Sequence, residues 1–270
     1  MILADSHTHS LYSPDAYPTP SEMCAAAAEA GVSAFALTDH YDIDCILLGL
    51  CPDYDADAAR HAIEKAAKEY AGKVEIVRGI ELGGAATCPD EAKAFLKKHA
   101  FDFVIGSLHN LPGVPDYYYM QFTEMPQVQI EYWFRRGLIH LCKTAKFPGI
   151  HTIGHLLYPV RYITRSGRAL ELSHFEAEFR ALFEVMRDYG VAMELNTKGV
   201  RTGGESWDQE EYVLRLWYDV GGRRVTCGSD AHNAAEIGAS IEDAYAHLRA
   251  IGFNDVIVPA YGGPKTVPIV

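Results

Sequence analysis

The sequence predicts an α/β protein folded as a parallel (β/α) barrel, and three observations carry that prediction. Short apolar segments of strand character alternate with helical segments along all 270 residues. Several helical segments stop at a glycine, the residue that best tolerates the left-handed conformation past a helix end. The strand segments stay rich in Val, Ile, Phe and Ala until their final residues turn polar, as expected of parallel strands covered on both faces by helices.

The elements follow in order. "LADSHTHS" (3–10) reads as a strand, and "SEMCAAAAEAG" (21–31) as a helix that starts after Pro18 and Pro20 and ends at Gly31. "VSAFALTDH" (32–40) is the next strand, followed by the helical "DADAARHAIEKAAKEYAG" (55–72), closed by Gly72. "VEIVRGIELGG" (74–84) pairs with helical "PDEAKAFLKKHA" (89–100), and "FDFVIGSLHN" (101–110) leads through a loop to "QVQIEYWFRRGLIHLCKTA" (127–145). Three further pairs follow: "GIHTIGHLL" (149–157) with "ELSHFEAEFRALFEVMRDYG" (171–190), "VAMELNTKG" (191–199) with "DQEEYVLRLWYDVGG" (208–222), and "RRVTCGSDAH" (223–232) with "SIEDAYAHLRAIG" (240–252). "NDVIVPAYGG" (254–263) adds a last short strand. Seven or eight such units in a chain of this length favour a closed barrel over an open sheet. No Pro/Ser-rich linker or shift in composition divides the chain, so residues 1–270 are expected to form one domain.

Composition bounds the function. The apolar fraction of 49% is that of a folded globular protein. Lys+Arg of 24 against Asp+Glu of 36 gives a net charge of -12, which opposes a sequence-independent grip on nucleic acid or an anionic membrane. No apolar run approaches the roughly 18 residues that span a bilayer. Six cysteines (Cys24, Cys45, Cys51, Cys88, Cys142, Cys227) show no CxxC and no regular spacing. With no secretory leader before Asp5, they are expected to be reduced thiols in a cytoplasmic protein.

The polar residues at the strand ends carry the chemistry. They are His7 and His9, Asp39 and His40, Glu81, His109, His155, Glu194 and Asn196, and Asp230 and His232. His7 and His9 share one face of a strand by alternation. Alone, an HxH is as compatible with surface residues as with a metal, and a single rim histidine is more often a cap or loop residue than a ligand. Recurrence once per βα unit, at the rim where barrel enzymes place their active sites, is a different matter. The other histidines serve as controls. His61, His99, His140, His174 and His247 fall in helical segments with charged neighbours and are expected to be solvated, and His151, early in its strand, to be a packed structural residue.

Imidazole and carboxylate without thiolate favour Zn, Mn or Fe. The candidate ligands are too many for one tetrahedral ion and enough for two or three ions bridged by a carboxylate and a water-derived hydroxide. Such clusters hydrolyse phosphoesters and amides.

The ordered motifs "DSHTHS", "LTDH", "GIELG", "GSLHN", "IGHL" and "GSDAH", spanning residues 5 to 232, resemble the PHP (polymerase and histidinol phosphatase) superfamily. Asp15 in "SPDAYPT", "LLYPVRY" and "ELNTKGVR" look most like its monofunctional histidinol-phosphate phosphatases. The resemblance implies a distorted (β/α)7 barrel of TIM type with three divalent metal ions (Zn, Mn or Fe). One ion would use His7, His9, Glu81 and Asp230. A second would share Glu81 as a bridge with His109 and His155. A third would use Asp15, His40 and His232; many relatives carry histidine where this chain has Asp15.

Arg161, six residues past His155, resembles the family's phosphate-holding arginine, a side chain that can take two phosphate oxygens at once; the bland alternative is a surface salt bridge. Arg201 is a second substrate-binding candidate. Tyr117, in the loop "DYYYM", either stacks on an imidazole ring or covers the barrel mouth. Asp39 would orient a ligand from behind. The implied activity is hydrolysis of L-histidinol phosphate, a step of histidine biosynthesis, in which a small phosphorylated molecule is the partner and neither nucleic acid nor membrane is expected. The rival readings are a phosphoesterase acting on nucleotides or oligonucleotide ends, and a non-catalytic metal-binding module.

Overall fold

A computed structural model describes residues 2–269. Its parallel strands, in chain order, are β1 (Ala4–Thr8), β2 (Ala34–Leu37), β3 (His40–Asp42), β4 (Glu75–Gly83), β5 (Phe103–Ser107), β6 (Thr152–Ile153), β7 (Ala192–Asn196) and β8 (Val225–Gly228). They pair in the order β1-β2-β4-β5-β6-β7-β8, with β3 also on β4. β2 and β3 behave as one strand interrupted at Thr38 and Asp39. Ala34–Leu37 pair with residues 75–78 of β4, and His40–Asp42 pair with residues 81–83. The register against β4 runs through the interruption unshifted, and the Glu81 amide donates to the Asp39 carbonyl at 3.1 Å.

Closure joins the first strand to the last. The Asp230 amide donates to the His7 carbonyl at 2.8 Å, and the His9 amide donates to the Ala231 carbonyl at 2.8 Å. Buried Asp5 ties the same seam: its carboxylate accepts from the Ser229 amide at 2.9 Å, from the Ser229 hydroxyl and from the Gly238 amide at 2.8 Å. The expected parallel (β/α) barrel is therefore present as a nearly closed ring of seven strands.

Helices α1 (Pro20–Glu29), α2 (Ile43–Leu47), α3 (Ala56–Glu69), α4 (Pro89–Lys98), α5 (Gln127–Ala145), α6 (Tyr158–Arg165), α7 (Glu176–Tyr189), α8 (Lys198–Arg201), α9 (Trp207–Asp219) and α10 (Ile241–Ile251) surround it. α1, expected to begin after Pro18 and Pro20, begins at Pro20 itself behind a capping box: Thr19 Oγ1 accepts from the Glu22 amide and the Glu22 carboxylate accepts from the Thr19 amide. Outside the sheet, Phe134, Phe175, Phe179, Phe183 and Trp217 are buried and join α5, α7 and α9 through edge-on and stacked rings. Each such ring contributes roughly 1.5–3 kcal/mol by leaving water. Among the described residues no helix is long and apolar enough to cross a membrane.

Two sequence expectations are corrected. Cys45 and Cys51 form a disulfide that closes the turn after α2; irregular spacing concealed a pair six residues apart. The other four cysteines are free, as expected. His140 is buried rather than solvated, on the inner face of α5, with Nε2 3.4 Å from the Thr87 hydroxyl. The last short strand expected from "NDVIVPAYGG" is present as β9 (Asp255–Val258), which pairs antiparallel with β10 (Lys265–Pro268). The seam between β1 and β8 is closed by the residues that follow β8, with Ala231 bridged to Thr8. His151 is the packed residue anticipated, accepting the Val104 amide at 2.9 Å and stacking on Phe103.

Candidate metal centre

Glu81 is the hub. It is fully buried near the end of β4, and its two carboxylate oxygens face two different sets of imidazoles. Oε2 lies 3.3 Å from His7 Nε2, 3.7 Å from His9 Nε2 and 2.9 Å from His40 Nδ1. Oε1 lies 2.7 Å from His155 Nε2 and 3.2 Å from His109 Nε2, and accepts from the Ser107 hydroxyl at 2.6 Å. Alternation along β1 sends His7 and His9 to one face. Closure of the barrel then brings Asp230 to them, with Asp230 Oδ1 3.5 Å from His9 Nε2.

At the outer side, His232 Nε2 lies 3.0 Å and His40 Nε2 3.7 Å from the half-exposed carboxylate of Asp15. All nine residues named as ligands from the sequence thus fall in one cluster. Four sets of donor atoms are compact enough to hold an ion: His7, His9 and Asp230; His7, Glu81 and His155; His9, His40 and His232; and His40, Asp42 and His109.

The donors fit a metal for a further reason. His7 Nε2, His9 Nε2, His40 Nδ1 and Glu81 Oε2 are buried without a hydrogen-bond partner. A buried polar atom left unsatisfied costs on the order of 1–3 kcal/mol, and several of them converging on one point make sense as lone pairs meant for cations. The charges agree. Burial alone would raise the Glu81 pKa, but His7, His40, His109 and His155 hold it well below the usual carboxylate range. Burial and the neighbouring His232 and His40 push His9 well below an ordinary imidazole, leaving it neutral, as a ligand must be.

Groups behind the cluster orient it. His7 Nδ1 is 2.8 Å from Glu194 Oε1, while Glu194 Oε2 accepts the His155 amide at 2.6 Å and the Asn196 side-chain amide at 3.2 Å. Gly228 permits this approach, since a Cβ there would collide with Glu194 Oε1 and the His7 Cβ. His109 Nδ1 is 2.8 Å from Asp42 Oδ1. Asp39 accepts from the Ser10 amide and hydroxyl and from the Ser13 hydroxyl at 2.6–2.8 Å, and Ser13 Oγ in turn lies 3.0 Å from His9 Nδ1. Asp39 therefore acts on a ligand through Ser13.

The arginines and Tyr117 sit differently from one another. Arg161, on α6, is buried against the cluster. Its Nε donates to Glu205 Oε1 at 3.0 Å, Nη2 to Asn196 Oδ1 at 3.4 Å, and Nη1 stands 3.6 Å from Asp230 Oδ2. It is not a surface salt bridge. Behind it, burial and then the Glu205 charge push the Glu210 pKa well up. Arg201 donates to the Ser229 carbonyl at 2.6 Å and to Thr197 Oγ1 at 3.4 Å, which braces the turn carrying Asp230 rather than presenting a guanidinium to a ligand.

Tyr117 is corrected as a mouth residue. It is buried, its hydroxyl donates to the Trp133 carbonyl at 3.4 Å, and a Cβ on Gly137 would touch that hydroxyl. The short 3-10 turn at Tyr117–Tyr119 packs this ring against α5. The ring beside the imidazoles is Tyr158, centred 4.9 Å from His155 and 5.2 Å from His109, with its hydroxyl donating to Asp116 at 2.9 Å. Sequence reasoning missed Tyr158, Asp42 and Lys198 as site residues and saw Glu194 only as a strand ending. Asp42 had a signal, two residues past His40 on the same strand face. Tyr158 lay unremarked within "LLYPVRY".

A parallel barrel with a cluster of histidines around one buried carboxylate at the C-terminal ends of its strands defines a class of metal-dependent hydrolases. The chain belongs to the PHP domain family, whose model matches residues 5–198. A curated relative from Thermotoga maritima, named probable histidinol-phosphatase, is 26% identical over 99% of both chains. The histidinol-phosphatase of Lactococcus lactis is 26% identical over 93% of this chain and 92% of its own. A crystal structure of the histidinol phosphate phosphatase from Lactococcus lactis, complexed with zinc, L-histidinol and phosphate, superposes with a TM-score of 0.84 at 21% identity, covering 97% of this chain and 98% of that one.

Proposed function

We propose that this chain is a metal-dependent phosphomonoesterase that hydrolyses L-histidinol phosphate to L-histidinol and phosphate, within histidine biosynthesis. The observation that carries the reading is Glu81, one buried carboxylate with an imidazole set on each oxygen. Full-length relatives named histidinol-phosphatase support the choice of substrate, as does the neighbouring fold that binds L-histidinol and phosphate.

Three divalent cations, Zn, Mn or Fe, would be held by His7, His9, Glu81 and Asp230; by Glu81, His109 and His155; and by Asp15, His40 and His232. When bound, such ions supply positive charge to phosphoryl oxygens and make water acidic enough to serve as a nucleophile at neutral pH. The protein's own groups do the rest. Arg161, fixed at Nε by Glu205, turns its Nη atoms toward Asp230 and Asn196, where a guanidinium can take phosphoryl oxygens and stay charged at any working pH. Glu194 and Asp42 hold His7 and His109 in orientation. Residues 1–270 act in this reading as a single domain.

The test is phosphate release across a panel of phosphomonoesters. Histidinol phosphate should exceed nucleoside monophosphates, sugar phosphates and an aryl phosphate in kcat/KM by at least about a hundredfold, or roughly 2.7 kcal/mol of differential transition-state binding. Equal rates would mean an unspecialised phosphatase, and a faster nucleotide would overturn the substrate assignment.

A further inference from the structure

We infer that Lys198 is a positioning residue that keeps the outermost metal position, Asp15, His40 and His232, weaker than the other two; the inference rests on the metal-centre reading above. Lys198 opens α8 in "NTKG", and its Nζ lies 2.7 Å from His232 Nδ1 and 3.2 Å from Asp230 Oδ1. An ammonium has donors only, so in this contact His232 Nδ1 must offer its lone pair. The ring proton of a neutral imidazole then sits on Nε2, which faces Asp15 Oδ2 at 3.0 Å. That is the nitrogen a third ion needs bare.

A second partner competes for the same Nδ1. The main-chain carbonyl of Asp230 lies 3.0 Å away, and an Nδ1–H donated to a carbonyl is the usual arrangement behind a metal-ligating histidine. His232 therefore has two tautomers with opposite consequences. Lys198 selects the one that blocks Nε2, and the Asp230 carbonyl selects the one that frees it. Lys198 is the nearer partner, and its charge also repels a dication at the neighbouring nitrogen. The inner imidazoles escape this tautomer effect: His7 is backed by the Glu194 carboxylate and His109 by the Asp42 carboxylate, both acceptors. A third ion must move Lys198 off His232 Nδ1 and shift the His232 proton to that nitrogen.

The experiment is equilibrium dialysis of metal-free wild type and Lys198→Met against stepped free Mn²⁺, with bound metal measured by mass spectrometry. Wild type should bind two ions tightly and a third at least about tenfold more weakly. Lys198→Met should tighten the third by about tenfold or more, a larger change than at the first two positions, one of which shares Asp230 with Lys198. Imidazole ¹⁵N spectra of the metal-free proteins, with His232 assigned by its loss in His232→Asn, provide a readout that bulk packing would not move. Nδ1 should be the unprotonated nitrogen in wild type and Nε2 in Lys198→Met; wild type alone decides if the variant does not fold. Two tight ions with an unchanged third in Lys198→Met, or a bare His232 Nε2 in wild type, would overturn this inference alone. No bound ion at the inner positions would overturn the metal-centre reading with it.

Discussion

Nδ1 of His7 lies 2.8 Å from Oε1 of Glu194, joining β1 to β7 inside the barrel. The carboxylate accepts the Nδ1 proton and leaves Nε2 as the lone pair that faces Glu81. Removing such a partner typically costs about 10–100-fold in metal affinity or activity. Glu194→Gln should therefore weaken metal binding by that order, measured by competition with a chelator of known affinity. Unchanged affinity would mean that packing alone fixes the His7 ring.

Glu81→Gln removes the shared ligand. Bound metal should fall by more than one ion per chain, and kcat should drop by at least about a hundredfold, on the order of 2.7 kcal/mol of barrier. Normal metal stoichiometry with full turnover in that variant would refute the bridging assignment.

Arg161 should behave differently. Arg161→Ala should keep its metal and lose about 2–5 kcal/mol in kcat/KM, the scale for removing a buried charged partner. Metal analysis and kinetics on the same preparation separate the roles: loss of metal would make Arg161 a support for Asp230 instead.

Stability of the metal-free protein should depend on pH in a defined direction. Burial opposes charge on His40, but the Glu81 carboxylate outweighs it and raises the pKa to about 9. His7 and His109 are likewise raised well above an ordinary imidazole despite burial, by Glu194 and by Asp42. A raised folded-state pKa contributes stability that is full below the unfolded value of about 6.5 and is lost as pH rises through the folded value. Thermal melts of chelator-treated protein should therefore fall between about pH 6.5 and 9. Metal-loaded protein should resist this loss, because cations replace the protons. A metal-free protein whose melting temperature rises over the same window would contradict the charge assignment.

Much of this protein is determined by local sequence. Helix α5 runs over Gln127–Ala145, the span its pattern predicts, and the strand-end histidines and carboxylates form the cluster they suggested. The reason is physical: alternation along a strand and the 3.6-residue turn of a helix fix which face a residue takes, and a parallel barrel puts every strand's C-terminal end on one rim.

What only the tertiary structure decided are the pairings between distant segments. Asp42 behind His109, Glu194 behind His7, Lys198 against His232 and the Glu205–Glu210 pair behind Arg161 all join residues on different elements, whose meeting depends on how the barrel closes. Tyr117 and Tyr158 make the same point. Both are tyrosines next to polar rim residues, yet α5 buries one ring and the turn into α6 sets the other beside the imidazoles. Local periodicity carries direction along one element; distance between elements comes from closure and packing, and no short stretch of sequence contains it.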